Sequence, residues 1–168
     1  MVPGIARRLG VLAFVAAAAI GFAVASQPAI YVTWNTMEPD KCATIWLIRK
    51  HIDADAEIIF FKPDDPAPPG ILFDTPDAEI RRTHNLSAFE AMAARYGLHG
   101  DRIEYIGRVI HDIEINTWQR KALKETRRIE SVILSGTEGR TPSKAVDWCV
   151  SLFEGLTVPS AEGSRSGS

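Results

Sequence analysis

Two cysteines in 168 residues are too few for a disulfide framework, and they lie far apart, at positions 42 and 149. With no Cys-x-x-Cys spacing and no nearby histidine, they form neither a zinc signature nor a dithiol redox motif. Net charge is only −2, so no basic field points to nucleic acid. No strand is followed by a Gly-rich turn, which argues against a nucleotide cofactor of the dinucleotide or P-loop kind. Internal repeats are absent. The one long uncharged apolar run, Val11–Ala25, has 15 residues, short of the roughly 20 a membrane-spanning helix needs. What is present is 46% hydrophobic and 24% charged residues in a length suited to one domain with a true core.

The start of the chain reads as an export leader. Arg7 and Arg8 give a positive n-region, the apolar run follows, and Ala23-Val24-Ala25 closes it with a small-x-small cleavage site. Cleavage after Ala25 leaves 17 basic and 21 acidic side chains, a net charge of −4. The expected location is the periplasm; an uncleaved leader would instead anchor the chain in the inner membrane. Residues 26–158 are expected to form a single domain. The Gly- and Ser-rich tail, 159–168, is expected to be disordered.

Local patterning gives the elements. Ile30–Trp34 is β-branched and aromatic, a strand. Pro39 and Asp40 open a helix reaching about Ile52, with Cys42, Ile45, Trp46, Ile48 and Ile52 on its apolar face. Ala56–Phe61 reads as a buried strand, and four prolines and a glycine in 63–70 as a loop. Ile71–Asp74 and, more weakly, Ile80–Thr83 are further short strands. The second half is helical. Ser87 and Glu90 fit a capping box, and Ile103, Ile106, Ile110 and Ile113 line one face of a helix from Asp101. Lys121–Leu134 is a basic helix stopped by Ser135-Gly136, and Thr141-Pro142 caps a last one. The fold class is α+β (mixed α/β), a small sheet with one helix followed by a helical half.

Three segments carry candidate chemistry. Arg49 and Lys50 end the first helix, where cations relieve the dipole and where an arginine fork plus a lysine point charge suit a tetrahedral oxyanion. His84 and Glu90 flank the start of the Ser87 helix. His111 and Glu114, three apart, share a helix face. Together, His84, Glu90, His111 and Glu114 make a two-His, two-carboxylate set suited to a divalent zinc, manganese or iron ion. Asp112 points elsewhere and would orient a ligating imidazole. The bland readings stand beside these: solvated charges at Arg49 and Lys50, a capping role for Glu90, and a simple charge pair at His111. If exported, Cys42 and Cys149 form either one disulfide or two separate buried thiols.

The run Asp40-Lys-Cys-Ala-Thr-Ile-Trp-Leu-Ile-Arg-Lys-His-Ile-Asp53 resembles a stretch of the C-terminal domain of ChrB-type chromate-resistance proteins, Asp-Lys/Arg-Ile-Ala-x-x-Trp-Leu-Ile-Arg-Arg-Phe-Ile-Asp. Thr83-His84 before Phe89-Glu90, and His111-Asp112-Ile113-Glu114, are similar to that family's Thr-His, Phe-Glu and His-Asp-Ile-Asp segments. The likeness spans about residues 30–135. It implies a role in chromate resistance, in the form of the domain carried behind a leader. Lys50-His51 departs from the family's Arg-Phe, Glu114 from its Asp, and Cys42 from an apolar residue, which an exported disulfide would account for.

Two function classes follow. One is an exported accessory protein of chromate or metal-ion resistance that binds an oxyanion, a divalent metal, or both; its partner is a small inorganic ion. The alternative is a metal-dependent enzyme using the two-His/carboxylate site. Binding is preferred, because no nucleophile–base pair or reductase cofactor motif is visible.

Overall fold

The structure, a computed structural model, describes residues 27–116 and 121–159. The leader and the tail beyond Pro159 lie outside them. Ile30–Trp34 forms β1, the centre of a three-stranded sheet. Its neighbours are β2 (Glu57–Phe61) and β3 (Ile71–Leu72), in the order β2-β1-β3. Both pair parallel to β1, with Ile30 opposite Glu57 and Tyr31 opposite Ile71. Tyr31, Val32 and Thr33 are buried on both faces of the sheet, as a central parallel strand requires. At Gly70 the chain passes close over β1: a Cβ there would lie 2.6 Å from the Val32 side chain.

Helix α1 (Pro39–Leu47) links β1 to β2 and is buried along its whole length. Helices α2 (Ala88–Arg95), α3 (Asp101–Glu114), α4 (Thr126–Thr137) and α5 (Pro142–Gly155) all pack on it. A helix covered on all sides is the core of its domain. Trp46, fully buried, stacks on Phe89 of α2 at 6.4 Å and meets Phe153 of α5 at 6.2 Å. Cys42 of α1 and Cys149 of α5 are joined in a disulfide, their Cα atoms 5.2 Å apart. The class is mixed α+β, as the sequence implies. No described helix is long and apolar enough to cross a membrane.

Three elements differ from the sequence reading. The first helix keeps its α form only to Leu47; Ile48–Ile52 widens into a π-helical turn, closed by Asp53 N–H on Ile48 O at 2.9 Å. Ile80–Thr83 is not a strand. Asp74 takes a positive φ of 48° and its N–H bonds Ile80 O at 2.8 Å, so the chain curls back at once and only the Phe73–Ile80 bridge remains. The basic helix starts at Thr126 rather than Lys121, because the amides of Ala122 and Leu123 are taken by the Asp112 carboxylate. It also runs past Gly136. That glycine is a packing site and not a stop: a Cβ there would sit 1.8 Å from the Trp148 ring of α5.

Candidate functional site

Arg49 and Lys50 lie on the π-turn and are engaged locally. Arg49 Nη1 donates to Ala54 O at 3.0 Å, and Lys50 pairs with Glu154 of α5 at 3.0 Å on the surface. Their partners lie apart, one on the turn after the helix and one on α5. The expected metal set is also divided. His84, Glu90 and His111 line one cavity of about 590 Å³, and His111 Nδ1 lies 3.0 and 3.1 Å from the two Glu90 oxygens. Glu90 meanwhile completes the capping box, accepting Ser87 N–H at 2.8 Å while Ser87 Oγ accepts Glu90 N–H at 3.1 Å. Glu114 faces a different neighbourhood, where it accepts Asp40 N–H at 3.3 Å and pairs with Arg82. Residues three apart are still separated by roughly 60° around a helix, enough to face different neighbours. Among the described residues, no group of three His, Cys, Asp or Glu side chains is arranged to hold a metal ion. The donors left for one are His84 and His111, with Glu90 on the Nδ1 side of His111.

Asp112 does not orient an imidazole. It is 2% exposed and accepts from Thr126 Oγ1 and Asn116 Nδ2 at 2.7 Å, Ala122 N–H at 2.8 Å and Leu123 N–H at 3.2 Å. Burial raises its pKa, but these four donors outweigh it and hold the carboxyl down to about 2. Its role is to pin the segment after α3 and the start of α4.

The most developed polar site was not among the sequence candidates. In a parallel sheet ordered β2-β1-β3 the chain leaves β1 toward one neighbour and later returns to the other side. The crevice beyond the carboxyl ends of β1 and β3 is the topological switch point, where open α/β sheets bind ligands. A cavity of about 420 Å³ lies there, lined by Thr36, Lys41, Asp74, Thr75, Arg81 and Arg82 among others. Lys41 is 1% exposed; its Nζ donates to Thr36 O at 2.8 Å and Thr36 Oγ1 at 3.2 Å and stands 3.6 Å from Asp74 Oδ2. Burial lowers its pKa, against the pull of the Asp74 charge. For Asp74, burial is the larger effect and raises the carboxyl to about 6, with Lys41 opposing.

Asp74 is the only non-glycine with positive φ among the described residues, a strained conformation that persists where surroundings impose it. Next to it, Thr75 is 5% exposed and its buried hydroxyl has no hydrogen-bond partner among the described residues. Arg82 bridges Glu38, at 3.1 Å, and Glu114 at the crevice mouth. Behind Lys41, the buried Asp40 carboxylate accepts the amides of Ala88 (2.6 Å) and Phe89 (2.8 Å), so it caps α2 from a different helix. One sequence signal for this site existed: a lysine in the first turn of a helix opposes the dipole and calls for another partner.

Fold and crevice together define an α+β protein whose polar site lies at the carboxyl edge of a parallel sheet. Residues 31–158 match the family described as "ChrB, C-terminal domain". The chain belongs to that family and is a chromate-resistance-related protein. Comparisons with curated proteins and with solved structures gave no match.

Proposed function

We propose that this protein is an exported accessory of chromate resistance that binds a small tetrahedral oxyanion in the β1/β3 crevice, and not at Arg49 and Lys50. The observation that carries this reading is the buried Lys41 lining a cavity whose mouth holds Arg81 and Arg82. Asp74 and Thr36 already partner the Lys41 ammonium, and the arginine forks at the mouth match tetrahedral oxygens. The charged residues lining the crevice, Glu38, Lys41, Asp74, Arg81 and Arg82, together with Glu114 paired to Arg82 at its mouth, balance in charge when all are ionised, so the site attracts an anion through its donor geometry and not through net charge. Export is supported by the leader pattern and by the Cys42–Cys149 bond, since disulfides persist in oxidising compartments.

Titration calorimetry with chromate at neutral pH tests the site. Arg82→Ala, at an exposed position, is expected to weaken binding at least tenfold, while Arg49→Ala leaves it unchanged. The reverse pattern would move the site back to the π-turn. A second reading, a divalent ion held by His84 and His111, rests on their lining one cavity with Glu90 fixing the His111 ring. It predicts about one equivalent of metal in protein purified without a His tag, lost in His111→Ala. Elemental analysis finding none, or finding it unchanged in the variant, ends that reading.

A further inference from the structure

We propose that Asp74 makes the crevice selective for oxyanions that carry a proton, such as hydrogen phosphate, hydrogen arsenate or hydrogen chromate, over fully deprotonated sulfate. This deepens the oxyanion reading above and rests on it.

The argument is one of donors and acceptors. Lys41 and Arg82 can only donate hydrogen bonds. Thr75, with its buried hydroxyl unpartnered, offers one more donor at the same cavity. A tetrahedral oxyanion accepts from Arg82 at the mouth and reaches the Lys41 ammonium by replacing a Thr36 oxygen on it. Asp74 is different: its side chain is 6% exposed, lines the same cavity and lies 3.6 Å from the Lys41 ammonium. An oxyanion held in this cavity is therefore brought against a carboxylate. If all of its oxygens are acceptors, acceptor meets acceptor and like charges face each other in a partly buried site. If one oxygen bears a proton, that hydroxyl donates to Asp74 and the clash becomes a charge-assisted hydrogen bond. Sulfate carries no proton at neutral pH, whereas phosphate, arsenate and chromate exchange one there.

Asp74 is also held in place. Its backbone takes the left-handed conformation, and its N–H is fixed on Ile80 O at 2.8 Å. Asp and Asn are the side chains that tolerate this conformation best. Asp74→Asn is thus near-isosteric, compatible with the turn, and exchanges a pure acceptor for an amide that can donate.

The test is titration of the full-length, disulfide-intact protein with inorganic phosphate and with sulfate at pH 7.5 and matched ionic strength. The wild type is expected to bind phosphate at least tenfold more tightly than sulfate. In Asp74→Asn, phosphate binding falls and sulfate binding rises, so the ratio closes or inverts. Equal binding of the two anions by the wild type overturns the proposal without needing the variant. So does an unchanged ratio in a folded Asp74→Asn protein. If both anions bind alike and Arg82→Ala weakens both, selectivity fails while the oxyanion site stands. If neither anion nor chromate binds, the oxyanion reading itself fails, and this one with it.

Discussion

Changing both Cys42 and Cys149 to alanine is expected to lower the unfolding free energy by about 3–5 kcal/mol. The bond closes a loop of 107 residues, nearly the whole described domain. Cross-linking so long a loop acts mainly on the unfolded chain, which loses conformations it would otherwise sample. For a chain of this size the melting temperature should fall by on the order of 10 °C. The slope of free energy against urea should also rise, because the unfolded state without the bond is more expanded and exposes more surface. A loss below about 1 kcal/mol with an unchanged slope would mean that the buried sulfurs matter only as packing.

Replacing Asp112 with alanine is the second large effect. The carboxylate gathers four donors, two of them backbone amides in the segment that leads into α4. Hydrogen bonds to a charged group contribute about 1.5–3 kcal/mol each, and buried donors stripped of an acceptor add their own desolvation cost. A loss of about 3 kcal/mol or more is expected, read from urea unfolding, with amide exchange rising first in residues 122–126. The acid limb supplies an independent check. Asp112 is held at about 2, below the ordinary 3.8 for aspartate. Its contribution is therefore fully present above roughly pH 4 and is lost as pH falls through about 2. Asp112→Asn should flatten that part of the stability profile relative to the wild type. Parallel profiles down to pH 2 would remove Asp112 from the account.

The fold was legible where the signals were local. Pro39-Asp40 begins α1, Ser87 and Glu90 form the capping box, and Pro142 opens α5, because each depends on neighbours within one turn. Legibility ended where a partner came from far along the chain. Helical spacing put His111 and Glu114 on one face, but it could not say that Glu90 and Arg82 would draw them to different neighbours. Arg49 and Lys50 have the chemistry for an oxyanion, yet the π-turn brings them to Ala54 O and Glu154. The crevice is the clearest case. Lys41 and Asp74 are separated by a strand, a proline-rich loop and a second strand, and only the parallel return of β3 beside β1 puts them 3.6 Å apart.

The disulfide also sets a timetable. Synthesis at about 5–20 residues per second delivers Cys149 roughly 5–20 s after Cys42, given their sequence separation of 107. For that interval Cys42 has no mate in its own chain. Because α1 is the helix on which α2, α3, α4 and α5 all pack, the thiol sits on a surface that stays uncovered until those helices arrive. An oxidant or a second nascent chain meeting Cys42 in that window would cap it before its native partner exists, so the yield of correctly bonded protein should depend on how fast the C-terminal helix follows.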